Sequence, residues 1–372
     1  MAVTGMKDLI ALSRLYGSDP AWVLAGGGNT SWKDAKTLWV KASGCALATI
    51  DESGFCAMDR ARLDAIWSRS YPEASAARET AALADLMAAR IPGEAKRPSV
   101  ETLMHGFFPE AFVVHTHPGL VNGLTCGRSG QALFREFFAE EAIWVPLVDP
   151  GYTLARAVKA EVEVFRARTG RMPRLMFMQN HGLLVAGESP EEIHGLSRLV
   201  MSKLEQRVGR RPDRATLAVP TSDLGDALAR IAALAPPSIH VVHKADADLL
   251  GFASSPSAFE PLSSAFSPDH IVYAGHEFLR ADNPAGIEAA WKDYRARNGA
   301  DPRIALVAGL GAFAVSASRK TAETAMAVFL DACSVAVYAE SFGGALHMEA
   351  DKIEFIRNWE VESYRAKMGS TA

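Results

Sequence analysis

Residues 99–118 read SVETLMHGFFPEAFVVHTHP, and this stretch decides the fold that we predict. Ser99 is typical of a helix N-cap, and the apolar and β-branched residues of 111–116 predict a strand directly after the helix. Side chains on a strand repeat every second residue, so the imidazoles of His115 and His117 leave the same face, about 6 to 7 Å apart. Such a pair suits two ligands of one metal ion, although two polar residues at a strand end give the same pattern.

A third histidine, His181, lies in the turn Asn180-His181-Gly182 between two apolar runs that predict strands. By itself it would be interpreted as a structural histidine. Together with the first pair it completes a set of three imidazoles, the composition of a catalytic zinc site that keeps one position open.

Glu101 lies in the first turn of the predicted helix, two residues after Ser99. A carboxylate there is favoured by the helix dipole, and for an isolated residue that interpretation suffices. Because the helix leads directly into the strand of His115, its first turn can also lie over the metal. A carboxylate in that place would bind the ion or move a proton.

Three consecutive glycines precede Asn29-Thr30-Ser31, and the segment is predicted to be a loop. Consecutive glycines let backbone N–H groups converge on an anion, and the side chains of Asn29, Thr30 and Ser31 add donors, so the loop can hold a phosphate. The alternative is a flexible turn. The segment is neither a Walker A loop nor a G-x-G-x-x-G fingerprint.

The remaining pattern alternates helices and strands, which predicts a mixed α/β fold. The polar stretch 209–226 is the best candidate for a boundary between two lobes. We therefore predict two domains, 1–214 and 215–372.

The second lobe resembles a degenerate copy of the first. A shift of 129 aligns Gly182 with Gly311 and places His181 on Leu310, and a shift of 159 places His115 on Ala274. Most of the polar chemistry is therefore expected to be missing from the second lobe, which we predict to lack metal ligands.

Composition excludes several classes of protein. The chain has 372 residues, 49% of them hydrophobic, and a formal net charge of −4, so neither disorder nor a global basic field for nucleic acid is expected. Four widely spaced cysteines fit a reducing compartment. Neither a signal peptide nor a long apolar membrane segment is evident, and we predict a cytoplasmic protein with no membrane partner.

The sequence resembles the class II aldolase/adducin family through five motifs that occur in this order: Gly-Gly-Asn-Thr-Ser at 27–31, Ser43-Gly44, Ser99-x-Glu101, His115-Thr116-His117-Pro118 and Asn180-His181-Gly182. Residues 39–41 and 98–103 look most like the aldolase part of bifunctional rhamnulose-1-phosphate aldolase/short-chain dehydrogenase proteins. No nucleotide-binding fingerprint is present, so we expect no dehydrogenase part.

The resemblance implies a three-layer α/β/α fold with a central, mostly antiparallel sheet, followed by a smaller α/β lobe. It implies a divalent metal, Zn²⁺ or another such as Mn²⁺ or Co²⁺, and Glu101 as the acid/base. It also implies a set of metal ligands, His115, His117 and His181, and a phosphate site formed by Gly28, Asn29, Ser43, Gly44 and Ser99.

One feature departs from the family pattern. Where the fuculose-phosphate type has two serines before the acid, this sequence has Ser99 and Val100, so one phosphate donor is missing. Lys33 or Lys41 is expected to supply compensating charge.

The function implied is that of a lyase, a class II aldolase that reversibly cleaves a ketose 1-phosphate into dihydroxyacetone phosphate and an aldehyde. Two alternatives within the family are a sugar-phosphate 4-epimerase and a keto-acid phosphate decarboxylase. A third is an adducin-like binding module without catalysis. The expected partner is a small sugar phosphate or related hydroxy-ketone, and the resemblance also implies a homo-oligomer.

Overall fold

The computed structural model describes residues 2–236 and 238–359. The last part of the predicted second domain, residues 360–372, lies outside the described residues. The first half of the chain is an alternation of helices and strands: α1 (Ala2–Gly17), β1 (Asn29–Lys33), β2 (Thr37–Lys41), β3 (Phe55–Asp59), α2 (Arg60–Ile66), α3 (Ser75–Ala88), α4 (Thr102–Phe107), β4 (Phe112–Thr116), α5 (Gly119–Thr125), α6 (Gly130–Phe138), β5 (Ala142–Val145), α7 (Tyr152–Thr169), β6 (Leu175–Met178), β7 (Gly182–Gly187) and α8 (Pro190–Glu205).

The strands of this half form one seven-stranded sheet in the order β3-β2-β1-β4-β7-β6-β5. All neighbours are antiparallel except β5 and β6. Alternate residues of the strands enter two separate cores, so Val114 packs on one face and Val113 on the other. Helices cover both faces, which gives the predicted three-layer α/β/α architecture.

The second half continues with α9 (Thr221–Leu234), β8 (His240–Lys244), α10 (Ala247–Ala253), α11 (Pro256–Phe259), β9 (Leu279–Ala281), α12 (Ile287–Asn298), β10 (Ile304–Val307), β11 (Gly311–Ser316), α13 (Arg319–Ala339) and α14 (Ala350–Asn358). Its strands form a separate four-stranded sheet, β8-β11-β10-β9. The second, smaller α/β lobe is therefore present.

Helix α13 packs against α5 and joins the cores of the two lobes, since Cys126 of the first half and Phe329 of α13 belong to one apolar cluster. Over Arg319–Phe342 this segment is long and apolar enough to cross a membrane, but 61% of its apolar window is buried inside the protein. Core helices of globular proteins have the same character.

The small sheet repeats part of the large one. Strands β8, β11, β10 and β9 have the same order and relative directions as β4, β7, β6 and β5. Met178 pairs with Gly182, and Val307 pairs with Gly311, so the two hairpins have one register. This confirms the alignment by 129 residues.

The alignment by 159 residues is wrong. Strand β8 occupies the place of β4 and pairs His243 with Phe313 as β4 pairs His115 with Leu184. The counterpart of His115 is therefore His243, and residues 270–274 form a π-helical turn rather than a strand. Short identities in sequence misled the alignment because strand pairing, which fixes the correspondence, joins distant segments.

The predicted loop after the three glycines is also corrected. Asn29 to Lys33 form β1, which lies between β2 and β4 within the sheet. Trp32 packs into one core, whereas Asn29, Ser31 and Lys33 face the other side. The polar residues on that side made the strand hard to distinguish from a loop.

Candidate metal and substrate site

Strand pairing places the first residues of the site. Asn29 on β1 and Leu184 on β7 flank His115 on β4, so Asn29 and His115 stand side by side on one face of the sheet. His117 follows the end of β4. His181 comes from the turn between β6 and β7, where Asn180 has a φ of 53° that lets the chain turn tightly.

The three imidazoles converge. The Nε2 atom of His115 lies 2.9 Å from Nε2 of His117 and 3.3 Å from Nε2 of His181. Four-coordinate zinc with Zn–N bonds of about 2.0–2.1 Å separates its ligand nitrogens by about 3.3 Å, and a right angle at the metal by about 2.9 Å. The spacing therefore fits one divalent cation.

The opposite ring nitrogens are engaged elsewhere. Nδ1 of His115 donates to the carbonyl oxygen of Leu183 at 2.9 Å, and Nδ1 of His117 donates to the Asp269 carboxylate at 2.6 Å. In these tautomers both Nε2 atoms carry lone pairs, which repel each other unless a cation lies between them. Burial lowers the pKa of His115 well below its usual range, although the neighbouring Glu101 carboxylate acts in the opposite direction.

Glu101 adds a carboxylate at the same point. Its Oε1 atom lies 3.2 Å from Nε2 of His181 and 3.5 Å from Nε2 of His115. Burial raises the pKa of Glu101, but the imidazoles of His115 and His181 and the Asn29 amide outweigh burial and hold that pKa well below its usual range. Glu101 precedes α4 instead of lying within its first turn, and its backbone N–H donates to Ser99 Oγ at 3.2 Å.

A buried chain of hydrogen bonds orients Glu101. The Asn29 side-chain amide donates to Glu101 Oε2, and Asn29 Oδ1 accepts a hydrogen bond from Nε2 of His105. Ser31 Oγ lies 2.7 Å from the remaining nitrogen, Nδ1 of His105. Burial lowers the pKa of His105 to about 3, so the ring is neutral and fixes which way the Asn29 amide points.

A cleft opens beside the histidines. Most of the residues predicted for phosphate line it, together with the candidate acid and two of the three histidines: Gly28, Asn29, Ser43, Gly44, Ser99, Glu101, His117 and His181. Thr30 does not line the cleft, because its hydroxyl bonds to Ser13 Oγ at 2.6 Å inside the protein.

The two lysines expected to supply charge have different places. Lys41 lines the cleft, and its ammonium group donates to the carbonyl oxygens of Gly26 and Gly28 at 2.9 Å each. Lys33 is buried away from the cleft lining, and burial lowers its pKa to about 7. Lys41 is therefore the lysine that accompanies the predicted phosphate residues.

A family model described as "Class II Aldolase and Adducin N-terminal domain" matches residues 7–201, just over half of the chain. The chain belongs to this family. Class II aldolases depend on a divalent metal, and the three-histidine cluster lies in the matched segment of this family member.

Several relatives of this class II aldolase family member are known. An uncharacterized oxidoreductase YuxG of Bacillus subtilis is 26% identical over 97% of this chain, and the chain spans only 58% of that protein's length. The N-terminal class II aldolase domain of a Thermoplasma acidophilum protein is 29% identical, with 54% of this chain and 92% of that chain covered and a TM-score of 0.45. L-fuculose-1-phosphate aldolase from Thermus thermophilus is 18% identical, with 54% and 90% covered and a TM-score of 0.34.

Sequence reasoning missed two contributors to this class II aldolase-type site. His105 is one of these, and its spacing of one helical turn after Glu101 is the signal in the sequence that could have indicated it. No pattern in the sequence links Asp269 to His117, because the two residues are 152 positions apart and Asp269 lies beyond the segment that the family model matches.

Proposed function

We propose that this protein is a metal-dependent lyase that reversibly cleaves a ketose 1-phosphate into dihydroxyacetone phosphate and an aldehyde. The observation that carries the proposal is the convergence of three imidazole Nε2 atoms and one buried carboxylate on a single point beside a polar cleft. His115, His117 and His181 would hold the metal. The protein is proposed to act on a small molecule in the cytoplasm, as a homo-oligomer.

A divalent cation bound there supplies Lewis-acid polarisation of a carbonyl and stabilises the negative charge that develops on its oxygen. Glu101 is proposed to move the proton, because its Oε1 faces the histidines while the Asn29 amide holds its Oε2. Its low pKa keeps Glu101 ionised, so the carboxylate has a free oxygen able to accept a proton from the substrate. The orienting chain through Asn29 and His105 keeps the carboxylate in one place, which lowers the entropy cost of proton transfer.

The phosphate of the substrate is proposed to bind near Ser43, Gly44 and Ser99, which line the same cleft as His181. Gly44 has a φ of 90°, a backbone conformation that glycine adopts readily and that turns the chain behind Ser43. Lys41 holds the glycine loop through its bonds to the Gly26 and Gly28 carbonyl oxygens and brings a positive charge to the cleft. The Asn29 side chain is already bonded to Glu101 and His105, so its part in this site is to shape it.

The decisive experiment compares the full chain with Glu101→Gln. Glu101→Gln keeps the size of the side chain and the three imidazoles, so we expect an unchanged content of divalent metal. Cleavage of the best ketose phosphate should fall by about 10²- to 10⁴-fold, the usual contribution of a positioned acid/base group. Undiminished turnover in this variant would refute the role of Glu101.

A panel of ketose phosphates with product analysis tests the reaction itself. An aldehyde and dihydroxyacetone phosphate as products support the lyase. An epimerised pentulose phosphate, or carbon dioxide from a keto acid, would instead assign one of the two other reactions that a metal-polarised carbonyl serves. Absence of any bound divalent metal in the purified protein would favour a non-catalytic binding module.

A further inference from the structure

We propose that the second lobe completes the metal centre of the first, with Asp269 as the residue that orients the ligand His117. The inference rests on the proposed metal site and adds to it a residue outside the matched family segment. Asp269 lies directly before the π-helical turn His270–Ala274 of the second half.

The contact is short and sheltered. The carboxylate Oδ2 of Asp269 lies 2.6 Å from Nδ1 of His117, and the side chains of the pair are only 10% and 11% exposed. A carboxylate that accepts a hydrogen bond from Nδ1 fixes the tautomer in which Nε2 carries a lone pair. It also holds the ring plane and makes Nε2 a stronger metal ligand. Asp269 is therefore a positioning residue for the metal, acting through His117.

The first lobe makes room for this carboxylate at Gly27. A Cβ atom at position 27 would lie 2.5 Å from Oδ2 of Asp269 and 3.3 Å from Nδ1 of His117. The middle glycine of the three thus has a reason apart from phosphate binding: a side chain there would displace the carboxylate from its histidine.

The second lobe holds two further segments of the site. The Asn180 side-chain amide donates to the carbonyl oxygens of Phe266 and Leu346, at 3.0 and 2.8 Å. This fixes the residue next to His181 in its unusual backbone conformation. The backbone N–H of Gly26 donates to the Tyr273 hydroxyl at 3.2 Å.

These contacts indicate a supporting role for the second lobe. Its own sheet has lost two of the three histidine positions, yet its segment 266–273 touches the chain beside His117, His181 and the glycine loop. The second lobe thus contributes to the proposed metal site of the first lobe through these contacts.

The test measures Zn²⁺ affinity of the full-length protein by competition with a chromophoric chelator, together with the visible absorption of the Co²⁺ form. The variants are Asp269→Asn, Asp269→Ala and Gly27→Ala. Asp331→Asn is the matched control, because it alters another His–Asp pair of the same half, His270–Asp331 at 3.0 Å. That pair does not contact the three histidines.

We expect Asp269→Ala to weaken Zn²⁺ binding by about 10- to 100-fold, the usual cost of losing an outer partner of a ligand. The Zn²⁺ affinity of Asp269→Asn should lie between those of the wild type and Asp269→Ala, because the asparagine keeps a hydrogen-bond acceptor and loses the charge. Gly27→Ala should weaken binding as well, and the Co²⁺ spectrum of the Asp269 variants should change. Asp331→Asn should change affinity by less than about twofold, since it leaves the Asp269–His117 contact in place and keeps an amide oxygen that accepts a hydrogen bond from His270.

Two results overturn the inference and are distinct. A wild-type chain that binds no Zn²⁺ would remove the proposed metal centre and this inference with it. A wild-type chain that binds Zn²⁺, with a folded Asp269→Ala variant of equal affinity and an unchanged Co²⁺ spectrum, would leave the metal centre intact and refute only the role of the second lobe.

Discussion

His115 on β4 and His243 on β8 occupy corresponding positions in two sheets of the same strand order, and their surroundings differ. His115 engages Nδ1 with the Leu183 carbonyl and turns Nε2 towards two other imidazoles. His243 instead donates from Nε2 to the Leu310 carbonyl at 2.7 Å. The same backbone position thus holds a proposed metal ligand in one lobe and a histidine bonded to a backbone carbonyl in the other.

The difference shows that hairpin register and metal chemistry are separable. The register depends on backbone pairing and on apolar residues that enter the cores, and both lobes retain these. The metal site depends on three side chains, whose counterparts in the small sheet are His243, Ala245 and Leu310. The large sheet also has three extra strands, and one of them, β1, carries Asn29 and Ser31 to Glu101 and His105.

The largest loss of Zn²⁺ affinity is expected when His181 of the first lobe is replaced by leucine, the residue at the corresponding position 310 of the second lobe. His181→Leu removes one of the three proposed ligands and should abolish tight Zn²⁺ binding. This loss should exceed the reduction in affinity of about 10- to 100-fold that follows removal of a residue that only orients a ligand. Isothermal titration calorimetry with Zn²⁺ measures the affinity of the variant and of the wild type.

The reverse substitution, Leu310→His, serves as its control. It restores one ligand beside His243 while Ala245 still lacks a donor, so the bound metal per chain should stay as in the wild type. A second bound Zn²⁺ would show that the small sheet is closer to a metal site than we infer.

A paired glycine experiment separates support of the metal from support of the fold. A Cβ at Gly182 would lie 2.7 Å from the His117 ring, whereas a Cβ at Gly311 would lie 2.4 Å from the Lys244 carbonyl oxygen. Gly182→Ala should therefore lower both stability and Zn²⁺ affinity. Gly311→Ala, at a φ of 91°, should cost at least about 1–2 kcal/mol of stability and leave the affinity unchanged.

Urea unfolding and chelator competition on both variants measure the two quantities. Equal losses of affinity in Gly182→Ala and Gly311→Ala would mean that metal binding follows global stability. Hairpin register and metal chemistry would then not be separable.

The smallest effect is expected beside β1, one of the three strands that only the large sheet has. His105→Phe leaves Asn29 and Ser31 without their partner, and at pH 7.5 it should cost about 1–3 kcal/mol of unfolding free energy. Because the pKa of His105 is about 3 in the folded protein and about 6.5 in an unfolded chain, the unfolded state binds more protons between those values. The wild type therefore loses stability as the pH falls below about 6.5, and the variant lacks this loss.

The difference between wild type and His105→Phe should accordingly shrink from pH 7.5 to pH 5. Urea unfolding at both pH values, with EDTA present to remove metal linkage, tests it. A difference that is the same at both values would contradict the burial of a neutral His105.

The sequence by itself determined part of the local structure around the site, since the helix predicted after Ser99 is α4 and the strand predicted over 111–116 coincides with β4. It also predicted that His115 and His117 lie close together, because H-x-H at a strand end constrains two side chains by the local geometry of one strand. Local periodicity carries such information, as each residue depends on near neighbours in the chain.

Only the tertiary structure decided how distant segments meet. It turned Asn29 from a loop residue into the strand neighbour of His115, moved the counterpart of His115 from Ala274 to His243, and brought Asp269 to His117. Strand pairing and lobe packing join residues that are far apart in sequence and are fixed by burial and backbone hydrogen bonding summed over the whole fold. No local pattern around residue 269 specifies its partner, which is why the second lobe's part in the site became visible only in three dimensions.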